Sequence, residues 1–186
     1  CLVGSEMCIR DRTMNRSKLR ENIFKLLYTA EFQEKEEMPQ QMSLYFTYSD
    51  DNDEDEEVTV SEKDQTYMEE KYHHVTEHIP EIDEMLNRTS EGWKTTRMGK
   101  VDLAILRLAV YEMKFDEDVP VGVAINEAVE LAKGYDEPET VRFINGILGS
   151  FMRSRGETVE EACAVHGIDV DKLLALVNEE ANKSAQ

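Results

Sequence analysis

Residues 101–111 read Val101-Asp102-Leu103-Ala104-Ile105-Leu106-Arg107-Leu108-Ala109-Val110-Tyr111, and nine of these eleven are apolar. Wound at 3.6 residues per turn, they leave almost no polar face. A helix of that kind is contacted on several sides, so it belongs in the middle of a bundle. The stretch decides the fold class, because the segments around it also carry helical spacing. Asp118-Val119-Pro120 resets the chain after it, with Pro120 suited to a first helical turn. The next helix carries Val123, Ala124, Ala128, Val129 and Leu131, and Gly134 is placed to end it. Pro138 opens another, with Val141, Ile144, Ile147, Leu148 and Phe151 as its apolar stripe.

Upstream, Leu19, Ile23, Leu27 and Ala30 repeat at three- and four-residue steps, with Leu26 widening the stripe. Arg16, Lys18, Arg20 and Lys25 are then expected around the remaining surface. A second helix includes Met38, Met42 and Tyr45. Ser61 with Asp64 signals the start of a helix carrying Tyr67, Met68, Tyr72 and Val75. Pro80 is expected to break it, with Ile82, Met85 and Leu86 continuing on another helix. No useful strand alternation occurs. The expected architecture is all-α: a compact bundle of about seven helices in two small helical subdomains, followed by a short helical extension.

The two ends read differently from residues 14–153. Residues 1–13 lack a helical period and resemble translated adaptor sequence, which makes Met14 the expected natural start. Residues 154–186 form the expected extension, a small helical hairpin opened by the capping pair Thr158 and Glu161.

The 186 residues hold 40 acidic and 21 basic side chains, for a net charge of −19. A protein that simply coats nucleic acid is excluded, because most of its surface would repel phosphates. Mean hydropathy is −0.55, and no apolar run approaches the roughly 18 to 20 residues of a bilayer span. No signal peptide is expected, since Cys1 to Ile9 has neither a basic flank nor an extended apolar stretch. Three cysteines without paired spacing argue against a disulfide framework and fit a reducing, cytoplasmic compartment.

Charge is unevenly distributed. Residues 1–30 carry net +3, residues 31–92 net −16 and residues 93–186 net −6. The N-terminal segment is thus a basic island where a polyanion can still bind, because salt screens charges beyond about 8 to 10 Å. The acidity peaks in residues 50–57, with seven carboxylates among eight residues. Asp51, Asp53, Asp55 and Glu62 match positions of a calcium loop, but Glu56 stands where the sharp turn needs glycine. A solvated acidic loop is the stronger reading.

Signals for catalysis are weak. Glycines are scattered singly, without a phosphate-binding loop, and Cys/His zinc spacing is absent. His74 and His78 lie one turn apart near Glu70, Glu77 and Glu81, a pattern commoner on solvated acidic helices than at metal sites. Cys163 and His166 lack an orienting third group. Trp93 reads as packing, and Asn126 with Glu127 as a buried polar pair capping neighbouring helices. The residues reveal no active site, no cofactor and no metal.

Several strings together resemble the NusB family of bacterial transcription antitermination factors. They are Arg16-Ser17-Lys18-Leu19-Arg20-Glu21 with Leu27-Tyr28, then Lys100 through Glu112, Val119-Pro120, Val123 through Lys133, and Phe143-Ile144-Asn145-Gly146-Ile147-Leu148. The resemblance covers about Met14 to Arg153, three-quarters of the chain. It implies a non-enzymatic RNA-binding adaptor that pairs with NusE, a small-subunit ribosomal protein. The pair would bind the boxA element of nascent ribosomal RNA and help RNA polymerase read through terminators. By position it places RNA contacts on Arg16, Lys18 and Arg20, where cations meet phosphates and base edges. It places base stacking on Tyr28 and Phe143, and the NusE contact on Asp102. The free protein is left as either a monomer or a homodimer.

Ser17 interrupts the basic helix, so the isolated chain is expected to bind RNA weakly. Some ribosomal RNA methyltransferases carry a NusB-like domain, but only about 33 residues follow Arg153, too few for a catalytic domain. A purely structural helical scaffold is the third reading, and it predicts no RNA binding.

Overall fold

The computed structural model describes residues 14–33, 36–49, 60–90, 92–135 and 138–154. The acidic run, the candidate calcium ligands Asp51, Asp53 and Asp55, the N-terminal prefix and the C-terminal extension with Cys163 and His166 lie outside these residues. Within them are six α-helices: α1 (Arg16–Ala30), α2 (Met38–Ser49), α3 (Glu62–Thr89), α4 (Lys100–Lys114), α5 (Val121–Tyr135) and α6 (Pro138–Ser154). A single 3-10 turn, Thr95–Arg97, precedes α4. The all-α class is as the spacing predicts. No helix among the described residues is long and apolar enough to cross a membrane.

The helix count differs from the expected seven because Pro80 does not end its helix. α3 runs unbroken through it for 28 residues. Proline removes one backbone donor, but Pro80 lies on the exposed side of α3, where water can take the freed carbonyl. Val75, Ile82 and Leu86 on the opposite side are fully buried and keep the helix in register across the proline.

The chain divides into two compact units, Cys1–Tyr72 and His73–Gln186, with the boundary inside α3. In the first unit, Asn15 caps α1 by accepting a hydrogen bond from the Lys18 N–H at 2.7 Å. Ser61 does the same for α3, accepting from the Asp64 N–H at 3.1 Å. The buried Asp64 carboxylate in turn accepts from the Met14 N–H at 2.9 Å, tying the entry to α1 to the start of α3. Asn22 on α1 accepts from the Tyr45 hydroxyl of α2, while its amide donates to the Lys18 carbonyl at 2.8 Å. Leu19, Ile23, Phe24, Leu26 and Leu27 of α1, with Met38, Met42 and Phe46 of α2, are buried.

In the second unit, α4, α5 and α6 pack on one another. α4 is buried without interruption from Leu103 to Met113, as an all-round apolar helix requires. Ala124, Ala128 and Ala132 give α5 a row of small buried side chains, which lets its neighbours approach closely. Asn126 and Glu127 are half-buried rather than buried, because the turn that brings Ile125 and Ala128 inward carries these two to the rim. Asp83 on α3 and Arg107 on α4 form a two-bonded ion pair at 2.9 and 2.8 Å. That pair accounts for the one basic residue in the apolar run.

Candidate nucleic-acid interface

The expected RNA-contacting residues fall in both units. In the first unit, Asn15 starts α1 and no acidic residue of α1 occupies its first turn, although the Asp64 carboxylate of α3 meets the preceding Met14 N–H. Arg16 and Lys18 project from this turn and are exposed. Glu21 sits 3.4 Å from the Lys18 ammonium and 2.8 Å from that of Lys25. Exposed pairs of this kind are worth about 0 to 1 kcal/mol, so a phosphate can replace the carboxylate at little cost.

Arg20 departs from the expectation of an exposed basic face. It is only 6% exposed, because it lies three, four and seven residues before Ile23, Phe24 and Leu27 and shares their inward side. That spacing is present in the sequence. Arg16 and Lys18 therefore carry the accessible charge of this turn.

Tyr28, at the other end of α1, is half-buried. Its ring lies 6.4 Å from Phe24 and meets Phe32 edge-on at 5.1 Å. Phe32 is 61% exposed and belongs to none of the motifs that carry the family resemblance. The aromatic repeat at 24, 28 and 32 is the signal that marks it.

In the second unit, Phe143 on α6 is half-buried, with the Trp93 ring against it edge-on at 5.3 Å. Trp93 is itself 50% exposed, so it is only partly the packing residue that its sequence context suggests. The two rings border a cavity of about 560 Å³ whose walls include Arg88, Arg142, Ile147 and Arg153. Arg142, Gly146, Ser150 and Arg153 recur at helical steps along one side of α6, a polar stripe opposite its apolar one.

Asp102 is in the first turn of α4, half-buried, with Oδ1 shielded from solvent. Its other carboxylate oxygen would stand 3.0 Å from a Cβ placed on Gly99, the residue that caps α4 without a side chain. The carboxylate thus folds back over a helix N-terminus, where its charge is favourable. His78, on α3, has its ring 4.4 Å from that of Phe115 and its Nδ1 2.7 Å from the His74 carbonyl oxygen. Among the described residues no three His, Cys, Asp or Glu side chains converge as metal ligands would.

These features define a class: an all-helical protein of two small units, with a basic helix start and exposed aromatics in an otherwise acidic chain. A profile of the NusB family matches residues 17–153. Transcription antitermination protein NusB of Agathobacter rectalis is 48% identical over 138 residues, covering 74% of this chain and 99% of that protein. The solved structure of T. maritima NusB superposes with a TM-score of 0.64 at 30% identity, covering 81% of this chain and 97% of that one. A crystal structure of the antitermination factors NusB and NusE with double-stranded RNA shares the fold, with a TM-score of 0.57 at 22% identity over 75% of this chain and 96% of that one. The chain belongs to the NusB family.

Proposed function

We propose that this chain is a cytoplasmic, non-enzymatic antitermination factor that pairs with NusE, binds the boxA element of nascent ribosomal RNA and promotes read-through by RNA polymerase. The observation that carries the reading is the start of α1. There Arg16 and Lys18 stand exposed in a first turn without acidic residues, in a chain of net charge −19. A local basic patch on an acidic body binds a polyanion at one place and repels it elsewhere, which suits an adaptor better than a coat protein. The acidic remainder attracts a basic ribosomal protein at long range. The solved NusB–NusE–RNA assembly provides the precedent for such a ternary complex.

In this reading Arg16 and Lys18 hold phosphates, Tyr28 and Phe143 stack bases, and Asp102 serves the NusE side. Arg20 supports α1 from within and contributes to RNA binding indirectly. The test measures binding of boxA RNA and a scrambled control, with and without NusE, across a salt series. Selective binding that tightens with NusE is expected. Charge reversal at Arg16 and Lys18 should weaken it and flatten the salt dependence by about 0.7 for each phosphate no longer neutralised. Equal binding of the two RNAs in the presence of NusE would refute the reading.

A further inference from the structure

The cavity beside Phe143 contains groups that neither the family resemblance nor the basic helix uses. Three arginines, Arg88, Arg142 and Arg153, share its lining with Trp93 and Phe143. Its volume of about 560 Å³ falls within the roughly 300 to 1,000 Å³ of sites that hold nucleotide-sized ligands. Trp93 meets Phe143 in a T-shaped contact and is half exposed, leaving ring surface on which a base can lie. Arg153 donates to the Ser150 hydroxyl at 2.8 Å, and Arg88 pairs with the exposed Glu84. Both are surface arrangements that a phosphate can displace at little cost. A Cβ on Gly146 would meet nothing within 4 Å, so the floor of the cavity is open at that point.

We propose that this cavity is a subsite for one nucleotide of single-stranded RNA, its base stacked on Trp93 and its phosphate held by Arg142 and Arg153, with Arg88 at the rim. The proposal rests on the RNA-adaptor reading and extends it, since it adds to Phe143 residues to which that reading gives no role. Aromatic rings interleaved with guanidinium forks suit a strand whose bases are unstacked, whereas a paired helix would present only its phosphates. Ser150 and Ser154 also line the cavity; the Ser150 hydroxyl accepts from Arg153 and the Ser154 hydroxyl donates to the Phe151 carbonyl at 2.7 Å, and each keeps hydrogen-bonding capacity for the ribose 2′-OH.

Trp93 is the only tryptophan in the chain, so the chain's own tryptophan fluorescence, read against a NusE-only control, reports this site. The experiment uses the full chain with NusE and titrates boxA RNA, with and without single-stranded flanks, following Trp93 emission and RNA anisotropy together. Wild type should show quenching that tracks binding. Gly146→Leu fills the open floor without removing a charge and improves helix propensity, so it should fold normally. It should abolish the quenching and weaken binding of the RNA that reaches the cavity by at least about fivefold, the smaller end of the effect of removing a base–aromatic stack. Arg153→Ala should lower the salt slope by about 0.7. BoxA-selective anisotropy without quenching, or quenching that survives Gly146→Leu, would overturn the subsite and leave the adaptor reading intact. Loss of boxA selectivity in the wild type would instead sink the adaptor reading and the subsite with it.

Discussion

The Asp83 carboxylate accepts two hydrogen bonds from Arg107, from Nε at 2.9 Å and Nη2 at 2.8 Å, and so joins α3 to the central helix α4. Side-chain exposure is 11% for Arg107 and 24% for Asp83, which places the pair at the edge of the core. Its value lies less in Coulomb attraction than in the penalty for removing one partner alone. Asp83→Ala would leave a guanidinium within an apolar helix, at a cost of about 3 kcal/mol. Replacing both partners, as Asp83→Leu with Arg107→Met, should destabilise less than either single change. Urea unfolding of the three variants tests this, and strictly additive losses would contradict it.

The contrast between Arg16 and Arg20 gives a second prediction, because both are basic and four residues apart yet differ in burial. Arg16→Ala should change stability by less than about 0.5 kcal/mol, as a surface substitution does. Arg20→Ala removes a buried, engaged side chain and should cost about 2 to 4 kcal/mol. RNA affinity should respond in the opposite order for folded protein. Thermal unfolding, combined with RNA titration at a temperature where both variants are folded, separates the two effects.

These two arginines also show where sequence reading works and where it stops. The apolar stripes of α1, α4, α5 and α6 are legible because burial imposes a 3.6-residue period, and so is the Ser61 cap, which is a local interaction. The continuity of α3 through Pro80 is not, because a proline's effect depends on whether its side of the helix faces water, a property of tertiary structure. At Arg20 the charge masks the register, although the spacing to Ile23 and Leu27 points inward. The Asp83–Arg107 pairing, 24 residues apart, and the meeting of Trp93 with Phe143 carry no local signature at all. Phe143 is reached only through family resemblance, and Arg88, Arg142 and Arg153 form a group only because the end of α3 and one side of α6 line the same cavity.

Alkaline stability should depend on Tyr72. Burial raises its phenol above the ordinary value of 10.0. The phenol is neutral when protonated, so near and above about pH 10 the unfolded chain releases this proton before the folded one does. Its contribution is therefore complete below about pH 10 and is lost as pH rises through the higher folded value. Tyr72→Phe should be less stable than wild type at neutral pH, since it forfeits the hydroxyl's interaction, yet lose less on going from about pH 9 to 11. Parallel urea midpoints for the two proteins across that range would contradict the assignment.

Gly92 controls how the chain leaves α3 and delivers Trp93. It is the only residue with positive φ among those described, at 83°, and a Cβ there would meet nothing within 4 Å. Any effect of Gly92→Ala must then come from backbone strain rather than collision, at about 1 to 2 kcal/mol. The next residue is Trp93, whose carbonyl accepts from the Ser90 hydroxyl, so a change in φ at Gly92 alters both that bond and the ring contact with Phe143. Gly92→Ala should lower the unfolding midpoint and shift Trp93 emission in the folded protein. Gly134→Ala, within α5 and also unobstructed, should stabilise slightly and leave the emission unchanged. If Gly92→Ala matched Gly134→Ala in both readouts, positive φ at Gly92 would have no part in holding the Trp93 side of the cavity.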